Sequence, residues 1–145
     1  MIRYLPATKS VELLTILKKS TKKYGFPGGK IESGETLWDA TVRETREEIG
    51  SEIKLLGNQA SRYKFRTQTG LKELFVFPAR VISGEPRIAE PDKLYNLMWA
   101  PIHQYMTRRS DLMDYVSEFA REPHCLTLSE AFGAEISELE SKVKA

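Results

Sequence analysis

A Pro-Gly-Gly break running straight into one amphipathic helix constrains this chain more than any other feature. Residues 24–30 read YGFPGGK, and residues 36–49 read TLWDATVRETREEI. Pro27, Gly28 and Gly29 punctuate a loop, and glycines let backbone approach closely and free a carbonyl to face an ion or a phosphate. The spacing predicts a helix over 36–49, entered through Ser33-Gly34-Glu35-Thr36 and stopped at Gly50. At 100° per residue Trp38, Val42, Thr45 and Ile49 fall on one narrow stripe, the expected core face. A stripe that narrow has to lie against another layer.

The rest of the chain supplies that layer in short apolar runs. Residues 2–8, 11–17, 53–56, 62–67 and 74–81 read as strands, with Gly70 between the last two, a turn at 83–86 and a short apolar segment at 97–100. Residues 110–119 read as a second helix, capped by Ser110, with Leu112, Met113, Val116 and Phe119 on one face. A third helix is expected over 126–145. Strands mixed with two or three helices predict an α/β (α+β) fold, a mixed central sheet between helices. The 145 residues suggest one domain spanning 1–145, with a C-terminal tail from about 121 to which the sequence assigns no role.

Glu44 and Glu48 sit one turn apart on the shoulder of the stripe, with Glu47 on the outer side of Glu44. Like charges at i, i+4 cost a helix a few tenths of a kcal/mol. A divalent cation offsets that repulsion, and hard oxygen ligands suit Mg²⁺ or Mn²⁺. Taken alone, the helix reads more simply as a solvated face, since Asp39–Arg43 and Arg43–Glu47 are opposite-charge i, i+4 pairs. The glycine loop beside it shifts the balance toward a site.

Residues 29–51, GKIESGETLWDATVRETREEIGS, resemble the Nudix box. Gly29, Glu35, Arg43, Glu44, Glu47, Glu48 and Gly50 occupy all seven fixed positions at the required spacing. With each residue type at roughly 5–7% usage, chance yields this at on the order of 10⁻⁹ per starting position. FPGG before the box and KIESGET within it are most similar to the MutT-type branch of nucleotide pyrophosphohydrolases. AEPDKLYNLMWAP extends a weaker resemblance to Trp99. Thr45 and Ser51 depart from the pattern, standing in its two aliphatic slots. The Thr45 hydroxyl is expected to bond back to the Thr41 carbonyl, and Ile53 to take over the packing of Ser51.

The resemblance implies an α/β/α sandwich and Mg²⁺-dependent hydrolysis of a nucleoside diphosphate derivative, with Mn²⁺ as a substitute. It implies Glu44, Glu47, Glu48 and the Gly28 carbonyl as metal ligands. Arg43 is implied as the catalytic arginine, orienting a carboxylate, with Glu35 and Gly29 supporting the loop. Lys30 is implied to reach a phosphate. The general base is open among Glu47, Glu48 and Glu90, a loop residue also placed at the substrate. The alternatives are an RNA 5′-end pyrophosphohydrolase and a non-catalytic Nudix module binding a nucleotide or partner. Retention of all three box carboxylates argues against the latter, while the tail leaves room for a homodimer.

Other residues are less telling. Lys18, Lys19, Lys22 and Lys23 form a basic run suited to a polyphosphate or an RNA 5′ end, or simply a solvated loop. Residues 1–34 hold seven basic and two acidic residues, yet the net charge of +2 is too small to argue general nucleic-acid binding. Tyr63, Phe65, Phe75 and Phe77 offer stacking surfaces but at strand spacing read first as core, as does Trp99. His103 and His124 show no ligand spacing. A single cysteine, Cys125, excludes an internal disulfide and a Cys-rich zinc site. No signal-peptide pattern and no apolar run long enough for a membrane span occur, so a cytoplasmic protein is expected.

Overall fold

The computed structural model describes residues 1–5, 7–8, 10–56 and 60–122. The third helix expected over 126–145, His124 and Cys125 lie outside the described residues. The strands are β1 (Ile2–Leu5), β2 (Ser10–Lys18), β3 (Tyr24–Gly25), β4 (Glu52–Leu55), β5 (Ser61–Thr67), β6 (Gly70–Val76), β7 (Ala79–Ser83) and β8 (Leu94–Pro101). The helices are α1 (Leu37–Ile49), a short 3₁₀ turn (Ile102–Tyr105) and α2 (Asp114–Ala120).

β2 is the spine. Its five central residues, Glu12 to Ile16, are all buried, the mark of a strand covered on both faces. β1 and β3 pair end to end along one edge of it and β8 runs along the other. Each of these ladders is antiparallel, and a parallel component enters through the bridge Tyr24–Leu112. Alternate side chains of β2 face opposite ways. Leu13 joins Val116, Phe119 and Ala120 of α2 in one core, whereas Leu14 and Ile16 join Ile49 of α1 in another. The two helices therefore cover opposite faces of the sheet. β4–β7 and β5–β6 form two separate antiparallel pairs.

α1 is built as its sequence dictates. The Thr36 hydroxyl accepts from the Asp39 amide, and the Asp39 carboxylate accepts from the Thr36 amide, a reciprocal capping box. Gly50 closes the helix at φ 70°, where a side chain is strained. The buried positions are Ala40, Thr45, Glu48 and Ile49, while Trp38 and Val42 are only half-buried. The core face is thus rotated toward Glu48.

Four boundaries differ from expectation. β1 ends at Leu5 rather than at residue 8. The loop before the box contains a strand after all, since Tyr24 and Gly25 pair with Leu17 and Ile16. The run 74–81 is broken at Phe77-Pro78: β6 pairs with β5 and β7 with β4, and Pro78, lacking an N–H, sits where the chain leaves one ladder for the other. The second helix starts at Asp114, not Ser110, because the backbone at Asp111 and Met113 is bonded to Tyr24.

Both departures from the box pattern have structural consequences. The Ser51 hydroxyl donates to the Gly84 carbonyl at 2.7 Å, tying the start of β4 to the turn after β7. A Cβ on Gly84 would come within 2.4 Å of the Gly50 carbonyl, so that turn packs only as glycine. The expected back-bond of Thr45 is made one turn earlier, by Thr41 to the Leu37 carbonyl at 2.9 Å. The Thr45 hydroxyl has no hydrogen-bond partner among the described residues.

Candidate active site

Arg43 organises one half of the site. Its Nε and Nη2 donate to the two Glu35 carboxylate oxygens at 2.8 and 3.0 Å, a bidentate pair. Nη1 reaches Glu44 at 3.0 Å and Glu47 at 3.2 Å, and Nη2 also donates to the Lys30 carbonyl at 2.9 Å. One guanidinium thus joins loop and helix. The Glu35 bond, then its neighbouring carboxylates, hold Arg43 well above its ordinary pKa; the same bond holds the Glu35 carboxyl below its usual value. Glu35 is thus the bidentate partner of Arg43.

Glu48 organises the other half. It is 6% exposed, and its Oε1 accepts from the Gly28 amide at 2.6 Å. Burial pushes its carboxyl up to about 7; Lys18 and the Gly28 amide oppose that shift, and Glu44 and Glu90 add to it. Lys18 donates to the Gly28 carbonyl at 3.1 Å and stands 3.8 Å from Glu48 Oε2. Gly28 lies at φ 153°, and a Cβ on Gly29 would sit 2.4 to 2.7 Å from the Glu44 carboxylate atoms. Only bare backbone can lie this close to the helix.

The segment after β7 brings in Glu90. The Arg87 and Ala89 amides donate to the Ile49 and Glu48 carbonyls, taking up two of the last carbonyls of α1. Glu90 lies near enough to raise the pKa of Glu48 and pairs with Lys93 at 3.3 Å.

The predicted residues Gly28, Gly29, Lys30, Glu35, Arg43, Glu44, Glu47, Glu48 and Glu90 therefore come together at the junction of loop and helix. Among the described residues no three His, Cys, Asp or Glu side chains form a ready metal cluster; Arg43 bonds Glu44, and the Gly28 amide bonds Glu48. The donor set nonetheless suits a hard divalent cation. It is all oxygen, one carboxylate is buried against like charges, and an ammonium already lies against the Gly28 carbonyl and Glu48.

Sequence reasoning missed two features. Lys18 belongs to β2 and to this site, not to a solvated basic run; its place at a strand end beside the glycine loop was the available signal. The lysine run disperses, with Lys19 over the Tyr95 ring at 5.0 Å and Lys22 at φ 58°. The second feature is a cavity of about 220 Å³ beside the glycine loop. Lys18, Gly28, Gly29 and Lys30 line it together with Phe26, Phe75, Phe77 and Phe119. Trp99 is half-buried under Arg3, 4.2 Å from its ring centre, and His103 lies exposed on the 3₁₀ turn. No helix among the described residues is long and apolar enough to cross a membrane.

Residues 7–119 match the NUDIX domain family. The chain belongs to the Nudix family. Within it, the chain is similar to the MutT branch. An 8-oxo-(d)GTP phosphatase of Mycolicibacterium smegmatis is 30% identical over 101 residues, 70% of this chain and 30% of that protein. An 8-oxo-dGTP diphosphatase of Haemophilus influenzae is 38% identical over 61 residues, 42% of this chain and 44% of that one. The chain thus spans less than half the length of either relative. A MutT NUDIX hydrolase structure from Burkholderia pseudomallei superposes with a TM-score of 0.60 at 27% identity, covering 75% of this chain and 84% of that one. A Clostridium perfringens NUDIX-family hydrolase shares the fold with a TM-score of 0.65 at 21% identity, over 83% and 90% of the two chains. Nudix hydrolases generally use divalent metal ions.

Proposed function

We propose that this Nudix chain is a nucleotide pyrophosphohydrolase that uses Mg²⁺, or Mn²⁺ in its place, on nucleoside triphosphates, with 8-oxo-dGTP as the first substrate to test. The observation that carries this reading is that Gly28, whose amide donates to Glu48, lines a cavity of mostly apolar side chains together with Lys18 and Lys30. About 220 Å³ is less than the roughly 300–1,000 Å³ of a site for a whole drug-sized ligand, so it suits a base and leaves the phosphates at the rim. The two MutT-like relatives, both named for oxidised guanine nucleotides, support the substrate.

Glu44, Glu47, Glu48 and the Gly28 carbonyl would hold the metal, which neutralises phosphate charge and acidifies water. Lys18 and Lys30 draw the diphosphate to the glycine loop. Arg43 keeps Glu44 and Glu47 aimed while Glu35 locks the arginine. Glu47 has a 48% exposed side chain and, among the described residues, Arg43 as its one ion-pair partner, so it is open to take the proton of an attacking water. Glu48 is the buried alternative, and Glu90 the loop one.

The test is phosphate and pyrophosphate release with Mg²⁺ and with Mn²⁺. The panel holds nucleoside triphosphates, 8-oxo-dGTP, dinucleoside polyphosphates, nucleoside-diphosphate sugars and triphosphorylated RNA. The expected result is turnover of a triphosphate, lost by at least 10²-fold in Glu47→Gln with the fold intact. Silence across the panel from a folded, metal-binding protein would overturn the reading.

A further inference from the structure

Thr45 stands where the Nudix pattern has an aliphatic residue, and the structure places it in the wall of the cavity. It is 1% exposed. A hydroxyl in that position normally bonds back along its own helix, as Thr41 does to the Leu37 carbonyl. The Thr45 hydroxyl has no partner among the described residues, so both its donor and its acceptor capacity remain. Nor is it sealed away; the sealed, partnerless side-chain oxygen among the described residues is Ser117 Oγ.

Tyr115 lines the same cavity from α2. Its hydroxyl oxygen accepts from the Phe26 amide at 3.0 Å. Gly25 makes this approach possible, for a Cβ there would lie 2.5 Å from the hydroxyl. The Tyr115 ring meets the Phe26 ring edge-on, with centroids 5.7 Å apart, which fixes its aim. With its oxygen engaged by an N–H, the group has a proton to give and no acceptor among the described residues to give it to. Helix α1 and helix α2 thus each contribute one hydroxyl with an uncommitted donor to a cavity whose other side chains are mostly apolar; the donor of Thr41, which also lines it, is taken by the Leu37 carbonyl. There a hydrogen bond to a ligand counts most, and its absence costs most.

We propose that Thr45 and Tyr115 are specificity-determining residues that read the edge of a base held in this cavity, selecting bases that present a carbonyl oxygen over those that present an amino group. Tyr115 donates to the carbonyl, and Thr45 accepts from the ring N–H beside it, a pair of atoms that an amino-bearing base presents with donor and acceptor exchanged. This rests on the reading that the cavity holds the base of a nucleotide.

The test has two arms. Calorimetry measures binding of dGMP, 8-oxo-dGMP and dAMP to the wild type, Thr45→Val and Tyr115→Phe; steady-state kinetics measures the matching triphosphates. The wild type is expected to favour guanine-type bases at least 10-fold in both arms. In Thr45→Val that preference falls about 10-fold, the loss appearing in KM rather than kcat, and the melting temperature rises because a hydroxyl without a protein partner has been removed. Tyr115→Phe should lose the preference too. It also orphans the Phe26 amide, so Thr45→Val decides.

A Thr45→Val protein with wild-type base preference would overturn the proposal, even if its melting temperature rises. A wild type that hydrolyses triphosphates without regard to base would overturn it while leaving the hydrolase reading standing. Base-selective monophosphate binding lost in Thr45→Val, with no hydrolysis by the wild type, would uphold it and remove the hydrolase reading. No binding of any nucleotide would overturn both.

Discussion

Replacing Glu48 by glutamine should make this protein more stable, although Glu48 is a metal-ligand candidate. Burial raises the carboxyl from 4.5 to about 7. A raised acid is neutral in both states below pH 4.5. Between 4.5 and 7 the unfolded chain ionises first, so stability falls as pH rises, and above 7 the full cost persists. A shift of 2.5 units at 1.36 kcal/mol each is a cost of about 3 kcal/mol. Glutamine removes the charge and keeps an oxygen for the Gly28 amide; it loses the attraction of Lys18, which is partly solvent-screened. The expected net gain at pH 8 without metal is about 1–3 kcal/mol, or roughly 4–10 °C in melting temperature for a chain of this size. The assay is thermal unfolding in EDTA from pH 5 to 8. Wild-type stability should decline across that range, and Glu48→Gln should stay flatter. The lowered carboxyls of Glu35 and Glu52 do not confuse the result. They contribute stability above their unfolded pKa of 4.5 that is lost only as pH falls below it. A wild-type profile flat from pH 5 to 8, or an equal slope in both proteins, would refute the argument.

Two further outcomes are expected. Gly29→Ala should weaken Mn²⁺ binding at least 10-fold by displacing the Glu44 carboxylate, which would lie 2.4 Å from the new Cβ, with circular dichroism unchanged; wild-type metal affinity would count against that close contact. Thr36→Ala should cost about 1 kcal/mol in urea unfolding by removing the capping box, since both of its hydrogen bonds are present.

The helix and its cap were legible because they are local. Thr36, Asp39 and Gly50 act within a few residues of themselves, and no other part of the chain is needed to read them. The box carboxylates were legible for a related reason: helical spacing alone puts Glu44, Glu47 and Glu48 within about one turn. Strand ends were less so. The run 74–81 has continuous β propensity, and only the separate partners of β6 and β7 show that Pro78 divides it. Residues 110–113 have helical spacing, yet their backbone is held by Tyr24, nearly ninety positions away.

The sequence by itself thus determined the glycine loop, the capped helix, the acidic cluster and the likeness to a Nudix box. Local hydrogen bonding and a fixed helical period suffice to set each of those. Tertiary structure alone decided that Lys18 faces Gly28 and Glu48, that Glu48 is the carboxylate buried deeply enough to shift toward 7, and that Thr45 and Tyr115 meet one cavity from two helices. Burial, charge proximity and cavity walls arise from elements distant in the chain, and no periodicity encodes which of them will touch.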